Sequence, residues 1–200
     1  MNIKISSGNS KMGTIPSVSL PSGVTCRTDC ECNKKCYAKR LERMRPSVRE
    51  AYAHNYNLLS KNPKTYWREI EASIMMSRFF RYHVSGDIPD GDYLTHMADI
   101  AQRNLHCEML CFTKKYDIVN EFLELKKVIP KNLHIILSAW RDTEMVNPHN
   151  LPEAHVRYKD GSTTAREDAK DCGGNCTECA VTNDGCWTLK NGEQIIFNEH

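Results

Sequence analysis

No run of apolar residues in this 200-residue chain approaches the length of a membrane span, and residues 1–13 lack the apolar core of a signal peptide. The reading that follows is a cytoplasmic chain with no membrane association. A strong excess of one charge is also missing: the net charge is +2 and acidic and basic residues are interspersed. A dedicated nucleic-acid surface normally carries a marked basic excess, so nucleic acid is not expected as a partner. The chain has too few residues for two full domains, while 40% hydrophobic content suits one domain with a substantial core. Residues 1–160 are read as a single α/β domain carrying an N-terminal cysteine loop, and 161–200 as a cysteine-rich extension of that domain. Oligomeric state is left open.

Cysteine is what the chain has in plenty. Of ten cysteines, eight fall into two groups of four: Cys26, Cys30, Cys32 and Cys36, separated by three, one and three residues, and Cys172, Cys176, Cys179 and Cys186, separated by three, two and six. The second group lies among Gly173, Gly174 and Gly185 with little that could build a core. Such a segment gains its folding energy from a metal that closely spaced thiolates converge on, with glycine letting the chain curl. In a reducing compartment clustered cysteines are metal ligands or redox groups more often than disulfides. Three bunched thiols with a fourth nearby favour an iron–sulfur cluster. Zinc, whose sites usually join two well-separated pairs, is the alternative metal. In the first group Cys30 and Cys32 share a face only if the backbone is extended there. Cys26, Cys32 and Cys36 could form the working set, or both groups could serve one centre. Cys107 and Cys111, in an apolar run, read as buried small hydrophobes.

Along the chain, residues 2–6 read as a first strand and 8–23, rich in Ser, Gly and Pro, as loop. Helical spacing predicts one helix over 48–60 with Pro46 as starter, and a second from the N-cap Asn62 to about Phe80. The group Met75, Met76, Phe79 and Phe80 reads as core. Residues 81–85 then read as a strand ending at Gly86 and Asp87, 90–103 as a helix, 107–112 as a strand, 116–125 as a helix, 133–139 as a buried strand, and 155–158 as one more strand. The residues near His200 read as a plain tail. Alternating strands and helices predict a parallel sheet, either open or a partial (βα) barrel, with functional residues at the strand ends. Those ends carry Ser85-Gly86-Asp87, Thr113-Lys114-Lys115 and Ser138-Ala139-Trp140-Arg141. Lys114 and Lys115 read as a solvated pair with anion binding as the alternative, and His83 as a packed strand-end residue.

A cysteine loop after the first strand, a Gly-plus-acid turn after a later one and short βα units resemble the radical S-adenosylmethionine superfamily. More closely, C-Y-A at 36–38, H-V-S-G-D at 83–87, F-T-K at 112–114 and C-x3-C-x2-C followed by C-W at Cys186 resemble a bacteriophage family called gene product eighty-eight, regarded as radical-SAM-like iron–sulfur proteins. The resemblance implies a radical-SAM-like fold and a cluster, with [4Fe–4S] the type that four cysteines close. Three ligands would leave one iron open to S-adenosylmethionine, held in part by Ser85, Gly86 and Asp87. The function implied is a redox-active or non-catalytic iron–sulfur protein. A radical enzyme on an unidentified substrate and a zinc-stabilised interaction module are the alternatives. An electron donor or a host protein would be the partner, in the host cell cytoplasm.

Overall fold

The computed structural model describes residues 2–199, so His200 lies outside the described residues. Eight strands form one open sheet in the order β1-β2-β3-β4-β5-β6-β8-β7. They are β1 (Ile5–Ser6), β2 (Ser17–Val18), β3 (Phe79–Tyr82), β4 (Glu108–Thr113), β5 (Leu133–Ser138), β6 (Glu153–Arg157), β7 (Lys170–Asp171) and β8 (Gln194–Asn198). Only β1 runs antiparallel to its neighbour; every other pair is parallel. Of the two forms expected, an open sheet or a partial (βα) barrel, the α/β chain forms the open sheet, parallel except at β1.

Period-two alternation sends side chains to two different layers. Phe80, Tyr82, Met109, Cys111, Leu133, Ile135 and Leu137 join one core with α4 (Pro63–Met75), α5 (Gly91–Arg103) and α6 (Tyr116–Glu124). Leu110, Ile136, Ala154 and Ile195 face the other way, into a second core with Met12, Ile15, Ala180, Trp187 and Leu189. Helices thus cover one face, and the cysteine-rich segment roofs the other.

The helix signals act as the sequence implies. Pro46 opens α3 (Pro46–Lys61), and the Asn62 side chain accepts from Thr65 N at 3.1 Å to start α4. Asp90 caps α5 by accepting from Tyr93 N at 2.8 Å. Cys107 and Cys111 are fully buried, and burial pushes the Cys107 thiol up to about 12.

Four expectations need correction. The Ser/Gly/Pro stretch holds β2, because Val18 and Leu20 are fully buried where β2 pairs with β3. Helix α4 stops at Met75, and Phe79 and Phe80 belong to β3. Met75 and Met76 are 62% and 89% exposed, since the turn after α4 carries them off the core-facing stripe. The stretch before His200 is no tail: β8 sits between β6 and β7, with Ile195 and Ile196 buried. The helices α1 (Glu31–Lys34) and α7 (Cys176–Thr182) carry cysteines instead of a core stripe, and α2 (Tyr37–Met44), with Cys36 as its N-cap, buries only Ala38, so none of the three was expected from apolar periodicity.

Candidate metal centre

The second cysteine group bridges the last two strands of the sheet. Cys172 follows β7 and its N–H donates to Ile196 O of β8 at 2.9 Å. Asn175 caps α7 by accepting from Glu178 N, and the Cys176 N–H donates to Lys11 O at 2.9 Å. The Thr177 hydroxyl donates to Met12 O, so the loop at 9–13 and the start of α7 hold each other. Cys179 lies one turn further along α7, and Cys186 lies in the 3-10 turn Gly185–Trp187. Gly185 has φ +61°, and a Cβ there would stand 3.0 Å from Cys179 Sγ. Only glycine lets the chain turn left-handed and pass so close to that sulfur.

All four thiols pack against the second core. Burial pushes the Cys186 thiol up to about 12, with Cys172, Cys176 and Cys179 adding to the rise and Arg81 opposing it. Cys179 is also raised, by burial and then by Cys172 and Cys176. The four sulfurs therefore feel one another.

The first group lies in a separate loop around α1 and α2. Cys30 is buried at the N-cap of α1 with extended backbone, Cys32 lies in α1, and Cys36 is the N-cap of α2. Burial pushes the Cys32 thiol up to about 11, Lys114 opposes this, and Cys30, Cys36 and Cys26 add to it. Cys26 is raised by burial above all. Exposed ion pairs fasten this loop to the sheet ends: Arg141 with Glu31 at 3.1 Å and Lys35 with Glu199 at 2.9 Å. Each such pair is worth little alone.

Both groups open on one cavity of about 950 Å³ over the second face of the sheet, lined by Cys32, Cys36, Cys172, Cys176, Cys179 and Cys186. Cys26 and Cys30 do not line it. Among the described residues, no three His, Cys, Asp or Glu side chains close to the spacing of a single metal ion.

Ser85, Gly86 and Asp87 do not line this cavity. Gly86 has φ +81°, and a Cβ there would meet Leu20 Cβ at 2.8 Å. The Asp87 carboxylate is buried and accepts from the Thr113 hydroxyl at 2.6 Å and from the N–H groups of Lys114 and Ile88. Burial raises its pKa and those donors oppose the rise. Its own N–H donates to Thr25 Oγ1 at 2.9 Å, one residue before Cys26. The Gly-plus-acid turn thus ties β3, β4 and the first cysteine loop together.

One residue given no role beforehand lines the cavity: Arg81, projecting from β3. His83, read as a packed strand-end residue, follows β3 with φ +58°, is buried and also borders the cavity. The signal for Arg81 was there to read: a cation between aromatic residues, on the same strand face as Phe79. Lys114 is half-buried in the wall, not solvated.

A family model described as Gene product 88 matches residues 2–186. The Gene 88 protein of Mycobacterium phage L5 is 27% identical over 121 residues, covering 54% of this chain and 51% of that protein. The chain spans about half the length of this curated relative. No solved structure matches.

Proposed function

This chain belongs to the phage Gene product 88 family, and on that premise we propose that it is an iron–sulfur protein whose two cysteine groups each hold a [4Fe–4S] cluster. The observation that carries this reading is the gathering of eight of ten cysteines into two separate quartets that open on the same cavity. The donor set fits: each quartet is all sulfur, and four thiolates close a four-iron cluster.

Cys172, Cys176, Cys179 and Cys186 would hold one cluster, and Cys26, Cys30, Cys32 and Cys36 the other. When bound, such a cluster supplies one-electron transfer. The chain's own residues do the rest. Met12, Ile15, Trp187 and Leu189 exclude water from the second quartet. Gly185 leaves room beside Cys179, and the Asp87–Thr25 bond positions Cys26. Desolvation keeps Cys32 and Cys186 protonated in the metal-free chain, so loading releases protons.

Anaerobic iron and acid-labile sulfide counts test the reading. The expected result is about eight of each per chain, two four-iron clusters. Cys176→Ala and Cys179→Ala should each lower the count to about half. Oxygen-free protein without iron or sulfide would overturn the proposal, and bound zinc instead would point to the zinc-stabilised interaction module. Titrating the reduced protein with S-adenosylmethionine, followed by electron paramagnetic resonance, tests for an iron with a free position. A changed spectrum would make the radical enzyme the function.

A further inference from the structure

The cavity beneath the two quartets is lined by three half-buried cations that no carboxylate pairs with among the described residues: Arg81 on β3, Lys114 just after β4, and Lys11 in the loop at 9–13. Each rests on an aromatic ring instead. Lys11 Nζ is 4.8 Å from the centre of Phe197, Arg81 Cζ 5.0 Å from Phe112, and Lys114 Nζ 5.7 Å from Trp140. Phe112 and Phe197 meet edge to face at 5.7 Å, so two of the three seats adjoin. By contrast Lys35 and Lys170, in the same wall, are ion-paired with Glu31, Glu199 and Glu193. Asp87 lies behind Lys114, but its oxygens are taken by Thr113, Lys114 N and Ile88 N.

One further observation points to a ligand. Arg81 Nε is buried with no hydrogen-bond partner among the described residues. Buried polar nitrogens are almost always satisfied. His83 borders the same cavity, but its ring packs on Tyr93 of α5, toward the helix-covered core. Glu178 and Asp184 also line the cavity. An orphaned guanidinium nitrogen beside three cations without an ion pair makes a recess suited to an acceptor-rich anion.

We propose that this cavity binds a small anionic molecule through an oxyanion group, phosphate or carboxylate, with Arg81 as the charged anchor and Lys11 and Lys114 flanking. A guanidinium presents a fork of donors that matches both groups. Phe112, Phe197 and Trp140 offer the rest of the molecule an apolar bed. The volume of about 950 Å³ lies within the range of small-molecule sites. The site stands on β3, the end of β4 and the loop at 9–13, and does not depend on the cluster reading.

The test is calorimetric titration of the anaerobically prepared full chain, at low ionic strength, with sodium pyrophosphate, with citrate, and with glucose as the uncharged control. At least one oxyanion should bind once per chain and glucose should not. Pyrophosphate alone would identify phosphate as the group, and citrate alone carboxylate. Arg81→Met should weaken binding tenfold or more, Lys114→Gln severalfold, and the exposed Lys61→Gln not at all. Iron content and melting temperature are read alongside. Both should be kept in Arg81→Met, because a guanidinium with an unsatisfied nitrogen is replaced by a side chain that asks for none. Binding of neither anion, equal binding by Arg81→Met and the parent, or loss of iron in Arg81→Met would overturn the proposal. Should Arg81→Met fail to fold, Lys11→Gln and Lys114→Gln decide it by the same criterion.

Discussion

His83 shows how one side chain can set a pH limit for the whole fold. Its imidazole sits against Tyr82 and Tyr93, with Arg81 the nearby cation, and desolvation followed by that cation lowers its pKa to about 3. The unfolded chain takes up this proton below about pH 6.5, whereas the folded chain does so only near 3. The unfolded state therefore binds more protons across that window, and stability falls as pH drops, by up to about 1.4 kcal/mol per unit from this group. Urea midpoints at pH 7 and pH 5 should differ more for the parent than for His83→Phe. Equal shifts would show that His83 does not set the acid limb. Gly185 makes a second demand at this scale. Gly185→Ala puts a methyl 3.0 Å from Cys179 Sγ on a left-handed residue. The expected cost is about 1 kcal/mol of stability with a lowered iron count. Thermal melts and iron assays of the purified variant check both.

At the scale of elements, short strands are held by side chains more than by their own ladders. Strand β1 has two residues, and Asn55 of α3, fully buried, secures it. The Asn55 amide accepts from Lys4 N at 2.8 Å and donates to Lys4 O and Ser19 O at 2.9 and 3.1 Å. Asn55→Ala leaves those backbone groups unpartnered in a buried place, so chemical denaturation should report a loss of about 2–4 kcal/mol. Strand β8 has a larger role, because it pairs with both β6 and β7 and its Ile196 O accepts from Cys172 N. Deleting residues 194–199 should leave a chain that cannot hold the second cysteine group. The check is iron content, which should fall to that of the first group alone.

For the whole molecule, much was legible beforehand. Asn62 and Pro46 as helix starters, the strand runs at 107–112 and 133–139, and the alternation of strands and helices follow from backbone chemistry and local apolar spacing. The two cysteine groups were equally plain as groups in the sequence, whereas how near their sulfurs stand is set by the backbone, since fifteen residues can also extend to about 50 Å. The Gly-plus-acid turn was legible as a turn, whereas its carboxylate proved to be engaged in cross-strand bonds. Other features could not be read locally. Strand β2 carries a weak signal of its own and becomes a strand by pairing with β3, whereas β8 carries the strand-forming run Ile195-Ile196-Phe197 and its place between β6 and β7 was decided by pairing. Spacing alone fixed the neighbours within each cysteine group. Only the folded sheet, by turning Phe79, Arg81, Leu110 and Phe112 to the face away from the helices, decided that both groups would open on one recess and that Arg81 and His83 would stand beneath them. Local sequence encodes what a segment does within its own turn or two; contacts between residues a hundred positions apart exist only once the sheet brings its strands side by side.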